Sequence, residues 1–596
     1  MLNSGQKQAL NSTKGFTCVL AGAGTGKTFT ITEIVKKLLD EGTKPGRILL
    51  LTFTRKAADE MRERIGNDSI PAMTYHSFCS KMLRCYGKHV GISQDFTLMS
   101  AGDAPAAISM ACGSLPIDAS HAVRIISRAA NTGESYQEAA AYFRDSVSQQ
   151  VMEKIARRYM AYKLSHQILD YDDLLTYTRT LFMTCEEVRA HVENQFDYIL
   201  VDEYQDTNKI QADIVFSIRK NVHNLLVVGD DAQSIYKFRG ADVGNILEFP
   251  KKTKGKIVTL TENYRSTQNV LDLSNAIMEN HYNGNKKILH GLSSGTSPVL
   301  VHASDQTNEY EWIADDIASR INNGESFCVL GRFSSMFDGM EQALLSRGLS
   351  CIRRGGKGFT DTEAFQNFVA FFRFASNPHD ILAETRLYRL VYGVGEARSL
   401  SIAEGQEDAP SEVLAIRSIT QAMAASQSEA GNLALEGYHS VCKNLIDTTY
   451  AHRMEGKSEE EQMRLAMKKG DDYVRLDKNM DKLSSIPYSG NIRTFLDETI
   501  MEYMSMEDGQ VILSTVHSAK GLEWDNVYIA DVYNGTFPSW SNDPEDLRCF
   551  YVAMTRAKKR LVLVQPQEVM GKYGPYDTKR SDYLQGADDY IEERYI

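Results

Sequence analysis

Ala21-Gly22-Ala23-Gly24-Thr25-Gly26-Lys27-Thr28 stands between the apolar run Cys18-Val19-Leu20 and the helix-compatible stretch Phe29 to Leu39. A glycine-rich turn from strand to helix lets backbone N–H groups close around a polyphosphate, with the lysine reaching the β and γ phosphates and the next hydroxyl placed to ligate magnesium. Lys27 and Thr28 fill those two places, and Ala23, Gly24, Thr25 and Gly26 form the turn. The pattern opens on Ala21 where glycine is usual. A glycine-rich surface turn has the same composition but lacks the flanking strand and helix, and a downstream acidic partner separates the two readings.

That partner is Ile199-Leu200-Val201-Asp202-Glu203, which puts two carboxylates at the C-terminal end of an apolar strand, where ligands gather in open α/β sheets. Asp202 is suited to hold Mg²⁺, directly or through water, and Glu203 to polarise the water that attacks a γ phosphate. An isolated Asp-Glu pair is more often a solvated turn. The strand before it and the phosphate loop upstream favour the catalytic reading.

A chain of 596 residues exceeds a single core, so about three to five folding units are expected. Hydrophobic residues at 42% and charged residues at 24% are those of an ordinary globular protein, without low-complexity tracts or repeats. No apolar run approaches the roughly 20 residues of a membrane span, and Met1-Leu2-Asn3-Ser4 does not begin a signal peptide. An intracellular, cytoplasmic location is expected, the host cytoplasm if the chain is viral. The nine cysteines are scattered without a CxxC pair, which disfavours disulfides, zinc sites and iron–sulfur clusters. A net charge of −12 excludes a chain coated in positive charge, though not a local basic or aromatic groove for nucleic acid.

Apolar runs alternate with helical patterns up to about residue 88: Thr17 to Leu20, Thr28 to Asp40, Ile48 to Thr52, Lys56 to Ile65. This predicts α/β architecture on a parallel sheet. Residues 89–166 read as an inserted helical domain, after which the alternation resumes at Tyr198 to Val201, Leu225 to Val228 and Ile257 to Leu260. A second α/β series runs through Val299 to Val301, Phe327 to Leu330 and the helical segments Phe337 to Ser346 and Asp361 to Ala375. It is broken by an Ala-, Glu- and Met-rich stretch over 392–507 and restored at Val511 to Leu513, Val527 to Ala530 and Leu561 to Val564. The expected division is 1–88 with 167–262, carrying insertion 89–166; 263–391 with 508–566, carrying insertion 392–507; and a tail, 567–596.

Together these stretches resemble a superfamily 1A DNA helicase of the UvrD/Rep/PcrA family over nearly the whole chain. Leu2-Asn3-Ser4-Gly5-Gln6 resembles the Q motif, Leu51 to Ala58 motif Ia, Thr74-Tyr75-His76-Ser77-Phe78 motif Ib, and Val201 to Asn208 motif II. Asp170 to Leu175 resembles the segment that precedes motif II, and Val228 to Ala241 is similar to motif III, the most specific stretch. Leu260 to Ser266, Ser514 to Trp524 and Phe550 to Lys558 resemble motifs IV, V and VI.

The resemblance implies two RecA-like parallel-sheet P-loop domains, each with a helical insertion, the first called 1A with 1B and the second 2A with 2B. It implies ATP and Mg²⁺ bound between the two. Gln6 would read the adenine edge and Tyr264 stack on the ring, with Glu523 toward the nucleotide; Gln233 would sense the γ phosphate, and Arg265 and Arg556 would act as arginine fingers. Phe53, His76, Tyr236, Phe238, Arg239 and His517 would face single-stranded DNA, Phe238 standing where the family often has tryptophan. The implied activity is a DNA-dependent ATPase and 3′-to-5′ helicase of DNA repair, recombination or replication. Its expected partners are single strands and single-strand/duplex junctions, with a protein loading partner conceivable and the chain a monomer or weak oligomer. The insertion 392–507 is shorter than the family's usual 2B, and a fused nuclease domain after Arg556 is not expected. Two other readings share the motifs: a translocase whose main task is to displace proteins from DNA, and an ATP-binding scaffold without turnover, which would be expected to lack Lys27, Glu203 or a finger.

Overall fold

The computed structural model describes residues 2–99, 104–113, 115–165, 168–218, 224–354, 362–378, 380–484, 486, 488, 491–492, 495–496, 510–541, 543–571 and 574–596. Asp361, the expected start of one helix, Tyr573 in the expected tail, and 497–507 of the expected second insertion lie outside the described residues. The chain divides into unit 1, Met1–Leu349 with Leu513–Ile596, and unit 2, Ser350–Ile512.

Unit 1 begins with β1 (Gly15–Ala21), β2 (Ile48–Thr52) and β3 (Ala72–Thr74). A two-residue pair, β4 (Thr97–Leu98) with β5 (Ile168–Leu169), brackets a helical excursion. Then follow β6 (Tyr198–Val201), β7 (Asn224–Gly229) and β8 (Lys256–Leu260). Six of these strands form one sheet in the order β3-β2-β6-β7-β1-β8, every neighbouring pair parallel. The sequences ILLLT and NLLVVG are buried along almost their whole length, as strands covered on both faces must be.

Alternation sorts the side chains between the two faces. Cys18, Leu20, Leu49, Leu51, Val201 and Val227 enter a core with Phe78, Phe182 and Phe249. Val19, Ala21, Leu50, Leu200 and Val228 enter the opposite core with Ile31, Ile34 and Leu38 of the helix Lys27–Asp40. Because all six strands run the same way, the turns after β1, β6 and β7 emerge at one edge, where α/β sheets hold ligands.

The excursion between β4 and β5 contains the helices Ala104–Cys112, Ala119–Thr132, Tyr136–Tyr142 and Gln149–Ser165. They close on a small core of their own, with Ile108, Ile125, Met152 and Ile155 at its centre. Its helix starts are specified locally: the Asp118 carboxylate accepts from the N–H groups of Ser120 and His121, and Ser135 with Glu138 forms a capping box.

A parallel pair, β9 (Glu262–Asn263) with β10 (His290–Gly291), leads into the second α/β half of unit 1. There β11 (Val299–Asp305) and β12 (Phe327–Gly331) come first; β13 (Cys351–Arg354) belongs to unit 2. The strands β14 (Val511–Thr515), β15 (Trp524–Ile529), β16 (Ala557–Gly571), β17 (Gly574–Asp577) and β18 (Glu592–Tyr595) complete the set. Their order is β14-β12-β15-β16-β11-β18, with β17 antiparallel on β16. Much of the expected tail is therefore sheet: β16 continues to Gly571, and β18 pairs in parallel with β11. Tyr595 stacks on His302 at 4.5 Å, and His302 Nε2 lies 3.0 Å from Glu593.

Unit 2 is chiefly helical. Helix Glu363–Ser376, which strand–helix alternation assigns to the second α/β series, lies in its core together with helix Ile381–Tyr388, and there Phe365, Phe368, Phe371 and Phe372 pack with Leu387, Val413, Ile416 and Met423. A helix with phenylalanines at these spacings buries a wide apolar face, and here the face is covered by helices Ser411–Ala425 and Ala430–Met454. Among the described residues no helix is long and apolar enough to cross a membrane.

Leu49 is fully buried in β2. Leu49→Ala is expected to destabilise the protein by about 2–5 kcal/mol through lost burial and the cavity left behind. The midpoint of urea unfolding measures this, and a shift equivalent to under about 0.5 kcal/mol would show that β2 is not packed on both faces.

Candidate active site

The turn after β1 depends on two glycines. Gly24 and Gly26 have φ of 68° and 81°, the left-handed region that residues with a Cβ rarely adopt. At Gly24 space forbids a side chain as well: an added Cβ would stand 2.6 Å from Asn263 Nδ2 and 2.8 Å from Arg265 Cβ. Asn263 Nδ2 donates to the carbonyl of Ala23 at 2.7 Å, and the Tyr264 N–H donates to that of Gly24 at 2.9 Å, so the loop and the Asn263-Tyr264-Arg265 segment are locked together. Thr25 Oγ1 donates to the Gly22 carbonyl. The Gln6 amide lies at the edge of hydrogen-bond range from the Thr25 carbonyl, 3.5 Å, and Asn3 Nδ2 donates to Tyr264 Oη, whose ring stays half exposed. Lys27 and Thr28 open the helix that follows.

The Lys27 ammonium faces Glu203 Oε1 at 3.7 Å. Glu203 holds a left-handed φ of 49°, a strained backbone that turns its carboxylate at the end of β6, and it accepts a hydrogen bond from Gln205 Nε2. Burial and the adjacent charge of Glu203 push Asp202 up to about 7. Burial pushes Glu203 upward too, but Lys27, Lys520, Gln205 and Arg556 outweigh it and hold Glu203 at about 2. Two neighbouring carboxylates thus carry opposite assignments: Glu203 ionised, Asp202 short of a cation. Asp202 accepts the Glu203 N–H, and among the described residues no lysine or arginine pairs with it. Nor do the described residues hold a cluster of three His, Cys, Asp or Glu able to bind a metal. Mg²⁺ takes few protein carboxylates and draws its remaining oxygens from water and phosphate, so Thr28 and Asp202 are residues that could hold it.

The turn after β7 carries Asp230, Asp231 and Gln233. Both aspartates are fully buried, and Lys287, from the second half of unit 1, reaches them at 2.8 and 2.7 Å. Tyr282 Oη and the Asn285 N–H also donate to Asp231. Gln233 Nε2 donates to Asp230 Oδ2 at 2.7 Å, which leaves Gln233 Oε1 facing Arg556 Nη2 at 3.5 Å. Lys520 donates to the Gln233 carbonyl and to Asp206, so one buried ammonium ties the turn after β6 to the turn after β7.

Arg556 is almost wholly buried, and its hydrogen bonds run to the carbonyls of Val552 and Leu522 and the side chains of Thr555 and Gln233, none of them a carboxylate. Burial, and then the like charge of Arg265, lowers it to about 9. Arg265 donates to Glu523 at 2.6 Å and to the Thr555 carbonyl, and Lys558 pairs with the other oxygen of Glu523. Cations from the second α/β half therefore crowd the phosphate loop of the first, a distribution suited to a polyphosphate between them.

The sequence that builds this arrangement is similar to that of known proteins. The profile of the UvrD/REP helicase N-terminal domain matches residues 2–254, and that of the UvrD-like helicase C-terminal domain matches residues 258–568. The chain belongs to the UvrD/REP helicase family. Similar relatives include the ATP-dependent DNA helicase PcrA of Bacillus subtilis strain 168, 30% identical over 94% of this chain and 82% of the relative. The proteins of the same name from Staphylococcus epidermidis (29%, covering 94% and 83%) and Staphylococcus aureus (28%, covering 100% and 87%) are comparable.

On the far side of the β7 turn the helicase presents a row of rings. Phe53 stacks on Tyr236 with centroids 5.2 Å apart and planes 10° from parallel; Phe238 stands edge-on to His517 at 5.3 Å. Tyr236 Oη donates to the His517 carbonyl, and the Arg239 guanidinium lies 5.2 Å from the Tyr236 centroid and 5.5 Å from that of Phe238. His517 is lowered to about 4 by burial and by Arg332, Arg239 and Lys520, so its ring is neutral near pH 7. Five of the six residues expected on this face thus form one cluster. His76 does not join it, packing edge-on against Tyr171 instead.

Sequence reasoning missed Lys287, which lies in no motif, and passed over Lys520, Asn263 and Gln205 inside the motifs it quoted. Only the fold shows that Lys287 is the counter-charge for Asp230 and Asp231. Lys287→Met, which leaves two buried carboxylates unpaired, is expected to cost about 3–5 kcal/mol in stability, with Lys287→Arg recovering part of it. Urea unfolding of both variants checks this; equal stability of the methionine variant and the unchanged protein would show the ammonium to be dispensable.

Proposed function

We propose that this helicase hydrolyses ATP to move 3′ to 5′ along single-stranded DNA and so opens duplexes from a 3′ tail, in repair, recombination or replication. The observation that supports it is the β7 turn: within a few residues it carries Gln233, in reach of Arg556, and the rings of Tyr236 and Phe238. A change at the γ phosphate is thereby wired to a stacking surface for bases. Domain roles follow the same reading, with 1–88 and 167–262 as 1A, 89–166 as 1B, 263–391 with 508–566 as 2A and 392–507 as 2B, except that helices Glu363–Ser376 and Ile381–Tyr388, packed in the core of unit 2, go with 2B.

ATP enters with its adenine against Tyr264 and Gln6 and its phosphates against the N–H groups of Ala23 to Thr28. Lys27 exchanges its Glu203 partner for the β and γ phosphates, which frees the Glu203 carboxylate. Thr28 and Asp202 would hold magnesium, which when bound neutralises phosphate charge. A water attacks the γ phosphorus as the bond to the bridging oxygen breaks, and its proton passes to the Glu203 carboxylate, which Lys520, Gln205 and Arg556 still favour in its ionised form. Arg265 and Arg556 offset the charge that develops on the transferring group. Loss of the γ phosphate removes the partner of Gln233 and Arg556, and the shared turn passes the change to Tyr236 and Phe238.

The deciding experiment measures ATPase with and without single-stranded DNA, then unwinding of 3′-tailed and 5′-tailed duplexes. DNA-stimulated hydrolysis with opening of the 3′-tailed substrate alone is expected; equal opening of both would overturn the polarity. Glu203→Gln should keep nucleotide binding and abolish turnover, because an amide cannot accept the proton. Arg265→Ala and Arg556→Ala should each lower kcat on the order of 10³-fold or more with modest change in nucleotide Kd. Wild-type turnover in any of the three would remove that residue from the mechanism. Phe238→Ala should weaken single-strand affinity by about 1–3 kcal/mol, read by fluorescence titration.

A further inference from the structure

A cavity of about 640 Å³ lies between the helical excursion of unit 1 and the turn after β7. Arg124, Arg128, Arg144 and Arg239 line it with Tyr142 and Phe143, and no carboxylate does. In a chain of net charge −12 such a lining is a local reversal of sign. The floor is fixed by Gly240, whose φ is 83° and where an added Cβ would stand 2.9 Å from Asn131 Cβ, so helix Ala119–Thr132 presses directly on the β7 turn.

The walls are arranged for a planar, anionic ligand. Arg128 lies over the Tyr142 ring at 3.5 Å and Arg124 over Phe143 at 4.3 Å, so each cation is held against a ring. Tyr142 and Phe238 keep 44% and 48% of their surface exposed, leaving ring area to stack on. Only 9% of the Arg128 side chain is exposed; its Nε and Nη2 are taken by Glu134 at 2.7 Å, while Nη1 is buried without a hydrogen-bond partner. A buried guanidinium donor left unpaired is costly, and an acceptor that reached it from the cavity would relieve that cost. Arg144 is held at a left-handed φ of 58° at the cavity's rim, a conformation that residues other than glycine seldom keep without cause.

We propose that this cavity is a second single-stranded DNA subsite, in which Tyr142 stacks on a base while Arg124, Arg128 and Arg144 take the adjoining phosphodiester. It extends the row of Phe53, Tyr236 and Phe238 onto the helical excursion, so that the strand is gripped by both. The inference rests on the DNA-translocase reading, and its test separates the two.

Tyr142→Ala and the double variant Arg124→Gln/Arg144→Gln alter exposed positions. Titration with a labelled oligothymidylate of about 20 nucleotides, long enough to span several stacking positions, gives affinity and its salt dependence. Tyr142→Ala should weaken binding about fivefold or more and raise the concentration of single strand giving half-maximal ATPase. The double variant should reduce the slope of log K against log salt by about 0.7, since the cavity takes one phosphodiester and each phosphate neutralised on a single strand contributes about 0.7. Photocrosslinking of a bromodeoxyuridine-substituted strand to the unaltered protein should label Tyr142 or Phe143. Unchanged affinity and slope in both variants, with crosslinks confined to the Phe53 and Tyr236 row, would overturn the subsite and leave the translocase reading standing. Absence of any DNA binding or DNA-stimulated ATPase in the unaltered protein would overturn both.

Discussion

The ammonium of Lys287, buried between the carboxylates of Asp230 and Asp231, is the interaction on which the rest of the site depends. Those acids are cut off from water, where an ionised pair side by side is tolerable only with a counter-charge in contact. With Lys287 in place, Asp230 can accept from Gln233, and Gln233 in turn presents its amide oxygen to Arg556. The backbone of the same turn goes on to Tyr236 and Phe238. A single charge balance therefore fixes the distance between the Gln233 amide and the rings of Tyr236 and Phe238, and it does so with a residue from the other α/β half.

A similar economy governs the phosphate end. Lys27, Lys520, Arg265 and Arg556 are opposed by Glu203, Asp206 and Glu523, so that most of the charges are paired within the protein. Arg556 is the exception, bound to neutral oxygens and lowered by its surroundings, and Asp202 is the corresponding exception among the acids. An anion beside Arg556 and a cation beside Asp202 would relieve both. On the proposed function, substrate and ion would complete an electrostatic pattern that the folded chain leaves uneven.

Close approach of backbones does the mechanical part. Gly24 admits the Asn263–Arg265 segment of the second half to the phosphate loop, and Gly240 admits the excursion helix to the β7 turn. Neither contact survives a Cβ. The two glycines make the phosphate loop and the stacking turn the meeting points of otherwise separate bodies of structure, which is what a motor needs if a local event is to be felt elsewhere.

What the sequence determined by itself was local. The strand–turn–helix around Lys27, the carboxylates after Val201, the apolar strands and the capped helices are each written within a dozen residues, and the order of the motifs carries the family. Parallel α/β architecture followed from the same short-range pattern, since a strand buried on both faces reads as a continuous apolar run. The tertiary structure alone decided the rest. Lys287 and Asp231 are 56 positions apart, and Arg128 of the excursion and Phe238 of the β7 turn line one cavity; no periodicity records such pairs. Glu592–Tyr595 is charged and exposed, and it becomes a strand only because β11 offers an unpaired edge. The phenylalanines of Glu363–Ser376 fit either an α/β layer or a helical core, and packing placed them in the second. Burial of charge and pairing of edges depend on which segments the fold brings together, and that is a property of the whole chain rather than of any window of it.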